Sequence, residues 1–188
     1  MNVTYAHKPE LTLIGFSTTI CPEEGYRRCP EFWDREYMQK YARLWRTGKP
    51  ETAEENAICE NGIGMFAICA EKEGCFEYWI AGLYQGGEVP EGMKLYSFPE
   101  GDWAMFSAKG PLPGSLQSLN TSVWQEWYPN EGQQYMGTGK AALEVYSAGD
   151  MQSPDYGCGI WVPVCRLPQS RESGTETAPA ATPISREH

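Results

Sequence analysis

The pattern of hydrophobic residues along the chain predicts strands in some segments and helices in others. Residues 11–20 are rich in β-branched and aromatic side chains and stop before a proline, which is typical of a strand. Residues 51–61 predict an acidic loop, and residues 63–71 and 76–84 predict a hairpin around a Glu-Gly turn. Between the first strand and this loop, large apolar residues recur at helical spacing, at Trp33, Tyr37, Tyr41, Leu44 and Trp45.

The same order of elements returns in the second half of the chain. Residues 103–108 predict a strand, and residues 141–147 and 157–164 predict two more. Ile14 to Thr18 resemble residues 104–108 at an offset of 90, Trp33 matches Trp124, and the Tyr-Trp-Ile around Trp79 matches the Ile-Trp-Val around Trp161. We therefore expect two similar β-α-β-β halves with a cleft where they meet. The helix of the second half is indicated by Leu116, Leu119, Val123, Trp124 and Trp127.

Length and charge then restrict the class of protein. With 188 residues, 41% of them hydrophobic, the chain suffices for one domain, expected at 1–165 and followed by a flexible tail at 166–188. The net charge of −10 disfavours sequence-independent binding of nucleic acid. We expect no membrane span, because no apolar stretch approaches about 20 residues. The start of the chain lacks the pattern of a secretory signal, so a cytoplasmic location is expected.

Several kinds of chemistry lack the residues that they need. Histidine occurs only at His7 and His188, which leaves almost no base for a Ser-His-Asp or Cys-His relay and no buried axial ligand for haem. The seven cysteines are odd in number and include no Cys-x-x-Cys, so we expect reduced, mostly buried thiols. No nucleotide-binding glycine motif occurs. We predict neither a metal nor a cofactor.

Aromatic residues and carboxylates remain as candidate chemistry, since 13% of the residues are aromatic. On a strand at 141–147, Leu143 and Val145 face one side while Glu144 and Tyr146 face the other. Glu144 is then either an ordinary solvated acid or a carboxylate in an aromatic pocket that offers a counter-charge to a desolvated cation. The strand tryptophans have two alternatives as well, because each either lines the cleft or fills the core; they are Trp79, Trp103 and Trp161.

These features together resemble the GyrI-like small-molecule-binding family, which also supplies the effector-binding part of AraC-type and multidrug-responsive regulators. The resemblance covers about residues 10–165 and rests on the order of four motifs: 96–104, 124–129, 143–146 and 160–164. It implies an α+β, SOUL-like fold with an antiparallel sheet, two helices and a central pocket for lipophilic, often cationic, aromatic molecules. The resemblance places the family's pocket glutamate on Glu144. Regulators of this family carry a DNA-binding helix-turn-helix, for which this chain has no room, so we expect a free-standing binder.

Three functions stay open. The first is binding of hydrophobic or cationic aromatic small molecules, with ligand contacts from Glu144, Tyr146, Trp79, Trp103 and Trp161. The second is hydrolysis of electrophilic, cyclopropane-bearing toxins, as the resemblance to some free-standing members implies, with Glu144 as general base. The third is an interaction with gyrase, which the family name suggests and no residue marks. The sequence gives neither the ligand nor the oligomeric state.

Overall fold

The computed structural model describes residues 2–137 and 141–166, so the predicted tail lies beyond Arg166 outside the described residues. The described strands are β1 (Val3–Lys8), β2 (Leu11–Ile20), β3 (Phe66–Lys72), β4 (Cys75–Leu83), β5 (Lys94–Phe98), β6 (Gly101–Lys109), β7 (Tyr135–Gly137), β8 (Ala141–Tyr146) and β9 (Gly157–Arg166). The described helices are α1 (Gly25–Phe32), α2 (Ala42–Thr47), α3 (Ala53–Asn61) and α4 (Gly114–Ser122). Two of them continue as wider π-helical turns, α1 over Trp33–Gln39 and α4 over Val123–Trp127.

All strands join one antiparallel sheet whose order confirms the two halves. The order is β1-β6-β9-β8-β3-β4-β2-β5, and β7 adds to β9. The middle pair is β3 with β8, where Ile68 faces Leu143. Outward from this pair, β4 corresponds to β9, β2 to β6, and β5 to β1. The sheet therefore has a pseudo-two-fold axis through its centre, and the fold is α+β as predicted.

The register of the paired strands corrects the offset between the two predicted halves. Trp79 lies opposite Ile68, and Trp161 lies opposite Leu143, so the two tryptophans occupy equivalent places. Trp79 also pairs with Ser17, and Trp161 pairs with Met105. The equivalent first strands are thus offset by 88 residues, not by 90. A shift of two residues keeps every side chain on the same face of the sheet, which is why the sequence match looked plausible.

The two faces of the sheet bury different clusters. The helices pack on one face, where Ile14 and Ile80 contact α2 and α3, and Phe106 and Ile160 contact α4. β5 and β6 lie far apart in the sheet order, yet their Phe98 and Trp103 rings approach to 5.0 Å. The sheet must therefore curl, and its other face is concave. The curl encloses an aromatic and aliphatic core on that side, which includes Leu13, Ile68, Trp79, Phe98, Trp103 and Leu143.

Two elements differ from the predictions. The predicted acidic loop at 51–61 is largely helix α3, which begins with a capping box between Thr52 and Glu55 and ends at Gly62 in the left-handed region. The predicted first helix is interrupted at Tyr41, which separates α2 from the turns that follow α1. Among the described residues, no helix combines the length and the hydropathy that crossing a membrane requires.

Candidate functional site

A cavity of about 700 Å³ lies between the helices and the centre of the sheet. Its floor comes from the middle strands, with Cys69 of β3, Tyr78 of β4 and Glu144 of β8. Its walls come from α1 and the turns after it, which include Trp33, and from the start of α4, which includes Leu116. The volume falls in the usual range for small-molecule sites, roughly 300–1,000 Å³.

The sheet register explains why Glu144 and Tyr78 meet. Ala67 of β3 faces Glu144 of β8 across the central pair, and Ala67 also faces Ile80 of β4. Tyr78 is two residues from Ile80 and therefore lies on the same, helix-facing side. The small side chain of Ala67, which is fully buried, leaves room for Tyr78 to reach the carboxylate. The pseudo-symmetry axis thus places the acid at the centre of the floor.

Glu144 is the centre of a hydrogen-bond network. The hydroxyls of Tyr78 and Tyr146 both donate to its Oε2, at 2.8 and 2.7 Å. The Cys69 thiol points at Oε1 from 3.9 Å, a weak contact. Trp33 Nε1 in turn donates to the Tyr78 hydroxyl at 2.9 Å. The two phenols orient the carboxylate, and one of its oxygens is left with a weak partner only.

Burial sets the electrostatics of this network. Burial raises the pKa of Glu144, and hydrogen bonds from Tyr146, Tyr78 and Cys69 lower it in part. Burial and the nearby charge of Glu144 hold the pKa of Tyr78 and of Tyr146 well above 10, so both stay protonated donors. Burial, with a smaller effect of Glu144, raises the pKa of Cys29 to about 12. The thiol in the cavity wall is therefore neutral and a poor nucleophile.

Glu144 has no cationic partner among the residues that the structure describes. No described ion pair includes it, and the cavity lining contains no Lys, Arg or His side chain. Glu144 is half-buried at the cavity floor, and partial burial of a carboxylate without a counter-ion is costly. An aromatic wall adds to the attraction for a cation, because Trp33 packs edge-on against Tyr146 at 5.3 Å and Tyr78 lies beside Phe76.

The structure brings together only part of the predicted site. Glu144 and Tyr146 lie in the cavity, whereas Trp79, Trp103 and Trp161 do not. Trp79 and Trp103 are 3% and 1% exposed and lie in the core on the concave face, with Trp161 packed against them. Their predicted place in the cleft is therefore corrected. The reason is the strand period of two: Trp79 and Trp161 share a ladder with Leu143, and that ladder faces away from Glu144.

Other residues of the site were missed by the sequence analysis. Tyr78 stands one position before a tryptophan that seemed more conspicuous, and Trp33 has a helical spacing that indicates core packing. The signal that identifies Tyr78 is its face of β4, which becomes known only with the pairing of β3 and β8. Within the described residues, no group of three or more His, Cys, Asp or Glu side chains could hold a metal ion.

Several solved structures share this fold. The structure of SAV2435 bound to tetraphenylphosphonium matches with a TM-score of 0.68 and 23% identity, over 88% of this chain and 94% of that one. The EcmrR C-terminal domain matches with a TM-score of 0.54 and 16% identity, over 88% and 98%. The integron cassette protein VCH_CASS2 of Vibrio cholerae matches with a TM-score of 0.58 and 12% identity, over 87% and 95%.

The fold is thus the GyrI-like, effector-binding fold that the sequence motifs suggested. The family model Cass2, described as integron-associated effector binding protein, matches residues 6–164. The chain belongs to this family of small-molecule-binding proteins. No curated protein sequence matches the chain.

Proposed function

We propose that the protein binds lipophilic organic cations in the central cavity, with Glu144 as the counter-charge. The observation that carries this proposal is the half-buried carboxylate on the cavity floor, which in the described residues has two phenol donors and no cationic partner. A bound cation would supply the missing positive charge. An inorganic cation would keep its water and fit poorly, whereas an aromatic cation could lose its weak hydration and contact the rings of the wall.

Two further observations support this ligand class. The cavity rim carries a second acid, Asp34, and exposed aromatic surface at Tyr26, so an approaching cation first meets negative charge and an apolar edge. The similar protein SAV2435 has been solved with tetraphenylphosphonium, a lipophilic cation. That likeness concerns another protein, but the cation offers a probe of suitable size for a cavity of about 700 Å³.

The acidic charge of the chain supports the same role. A net charge of −10 raises the local concentration of cations around the protein and disfavours contact with nucleic acid. We therefore propose a sensing or sequestering role for cytoplasmic, lipophilic cations, and no direct binding of DNA or RNA. The ligand itself would be the partner, and no cofactor is needed for binding.

Intrinsic tryptophan fluorescence tests the proposal with tetraphenylphosphonium as the probe. Trp33 lines the cavity, whereas Trp161 lies on the opposite face of the sheet. Titration of the wild-type protein should change the emission saturably, with one cation bound per chain. The Trp161→Phe variant should keep most of the change, and the Trp33→Phe variant should lose most of it while calorimetry still detects binding. A titration without saturation, or a signal carried by Trp161, would contradict the proposed site.

A further inference from the structure

Cys21 and Cys75 lie against each other at the end of the β2–β4 ladder. Their sulfur atoms are 3.6 Å apart, and both are free thiols. Cys21 follows β2 and Cys75 begins β4, and the last pair of the ladder joins Ile20 to Phe76. The two cysteines are therefore the next cross-strand neighbours in an antiparallel pair.

This position suits a disulfide bond. Residues that face each other in an antiparallel pair have Cα atoms about 4.5–5.5 Å apart. Disulfides span Cα distances of about 4.4–6.8 Å, so the bond needs no movement of the strands. Cys21 has an extended backbone with φ −76° and ψ 142°, which keeps its side chain on the ladder that continues from β2. Rotation of the two side chains is then enough to bring the sulfurs to bonding distance.

The remaining cysteines have no such neighbour. The sequence predicts mostly buried thiols, but Cys158 alone is buried, and Cys59 and Cys165 are exposed. Across the described part of the chain, Cys21 and Cys75 are the one pair of cysteine sulfurs within hydrogen-bonding distance. Both are partly exposed, so a small oxidant can reach them.

We propose that Cys21 and Cys75 form a reversible redox site that takes low-molecular-weight disulfides, such as glutathione disulfide, as its oxidant. One cysteine thiolate attacks a sulfur of the oxidant, which forms a mixed disulfide and releases one glutathione thiolate. The second cysteine thiolate attacks the protein sulfur of the mixed disulfide and releases the second glutathione. The two cysteines lose two electrons and two protons in total, and the glutathione disulfide gains them.

The bond would act on the rim of the cavity. Pro22 and Phe76, which adjoin the two cysteines in sequence, both line the cavity. Residues 22–24 form a short 3₁₀ turn that leads from β2 into α1, whose Gly25 and Cys29 belong to the wall. A Cys21–Cys75 bond therefore ties the start of this wall to β4. The inference does not depend on which ligand the cavity holds.

Peptide mapping of the full chain tests the site directly. Trypsin releases Cys21 within residues 1–27 and Cys75 within residues 73–94, and each of these peptides contains a single cysteine. After incubation with glutathione disulfide and blocking of free thiols, the two peptides should appear as one cross-linked species. Its mass should be lower by two hydrogen atoms than the sum of the reduced peptides. Dithiothreitol should restore both free peptides.

Matched variants and hydrogen exchange complete the test. Cys59→Ser should cross-link like the wild type, whereas Cys21→Ser and Cys75→Ser should not, and in the latter two the remaining thiol should form a glutathione adduct. Oxidation of the wild type should slow amide exchange at least several-fold over residues 20–30. Glutathione adducts at Cys59 or Cys165 with residues 1–27 and 73–94 unlinked would overturn the site. A cross-link without slower exchange would overturn its effect on the rim. Both results are independent of whether tetraphenylphosphonium binds.

Discussion

Ionisation of the Glu144 carboxyl group lowers the stability of the folded protein. Burial raises its pKa above the ordinary value of 4.5, and the hydrogen bonds of the two phenols offset only part of this rise. The folded protein therefore binds the proton of Glu144 more tightly than the unfolded chain does. The contribution of Glu144 to stability is present below pH 4.5 and is lost as the pH rises through the raised pKa.

The loss of stability on ionisation of Glu144 leads to a prediction for the unliganded protein. Glu144→Gln, which removes the charge and keeps the shape, should raise the free energy of unfolding at neutral pH relative to the wild type. The difference should shrink as the pH falls toward about 4.5, because the wild-type carboxyl becomes neutral as well. Urea unfolding of both proteins from about pH 4 to about pH 8 measures it. A variant that is less stable at neutral pH would show that the ionised carboxylate does not destabilise the folded protein.

Tyr78 should adjust the proton affinity of Glu144. Tyr78→Phe removes one donor to Oε2 and keeps the aromatic ring, so the pKa of Glu144 should rise further. Tetraphenylphosphonium affinity should then fall several-fold at neutral pH, and the pH at which binding is half lost should move upward. Calorimetric titrations across pH measure both effects.

Tyr84→Phe is the matched control for this variant. The hydroxyl of Tyr84 donates to the carbonyl of Gly87, and Tyr84 does not line the cavity. Its pH profile should coincide with that of the wild type. If Tyr78→Phe lowered affinity equally at every pH, Tyr78 would act through packing, and its hydrogen bond to Glu144 would be unimportant for binding.

At the scale of single residues, the sequence predicts the acid better than the rings. Alternation along β8 already separates Glu144 and Tyr146 from Leu143 and Val145, and the structure has this arrangement. The face of Trp79 depends on which residue of the neighbouring strand it pairs with, and pairing is a long-range property. Side chains that are equally aromatic, such as Tyr78 and Trp79, cannot be separated without it.

Among the elements, β4 determines the position of Tyr78, and its own position depends on α3. A Cβ atom on Gly82 would collide with the backbone of Asn61, Gly62 and Ile63 at the end of α3. The close approach of strand and helix therefore requires glycine here. The contact between α3 and β4 also positions β4 beside β3, so that Tyr78 of β4 reaches the floor of the cavity.

Gly82→Ala should accordingly lower the free energy of unfolding by about 1–3 kcal/mol, the usual range for an overpacked core. Gly101→Ala is the control, because a Cβ atom at this strand position meets nothing within 4 Å. Urea unfolding midpoints compare the two variants. Equal midpoints would mean that α3 does not pack against β4 as described.

Hydrophobic periodicity does not predict helix α3. The sequence signals for α3 are its capping box at Thr52 and Glu55 and the glycine that follows, not an apolar stripe, and the acidic composition suggested a loop instead. Local hydrogen bonds at the helix ends identify this helix better than hydrophobicity does. The interruption at Tyr41, where the backbone leaves the helical region with φ −105° and ψ 24°, has no signal in the hydrophobic pattern.

On the scale of the whole molecule, the duplication could be predicted because it depends on the order of elements. The pairing of β3 with β8 at the pseudo-two-fold axis then generates the cavity floor from both halves of the chain. The enclosing curl of the sheet could not be predicted, because it depends on the strand order, which puts the consecutive strands β5 and β6 near opposite edges of the sheet while Phe98 and Trp103 stay in contact.

The predicted division of the chain at 165 leads to a test of the whole domain. β9 runs to Arg166, which pairs with Tyr135 of β7, so truncation after Arg166 keeps the ladder intact. We expect this truncation to leave the melting temperature and the affinity for tetraphenylphosphonium unchanged within error. Differential scanning calorimetry and titration measure them. A drop of several degrees would show that residues 167–188 stabilise the domain, contrary to their composition.

We propose that the charge of Glu144 selects a lipophilic cation, and a calorimetric comparison of two ions of opposite charge tests this selectivity. Tetraphenylphosphonium and tetraphenylborate have nearly the same shape and opposite charges. The wild-type protein should bind the cation and not the anion at neutral pH. Glu144→Gln should weaken cation binding by about 10- to 150-fold, the equivalent of about 1.5–3 kcal/mol for a charge-assisted contact, and should narrow the difference between the two ions. Cation affinity equal to that of the wild type in a folded Glu144→Gln variant would show that the charge of Glu144 does not select the ligand.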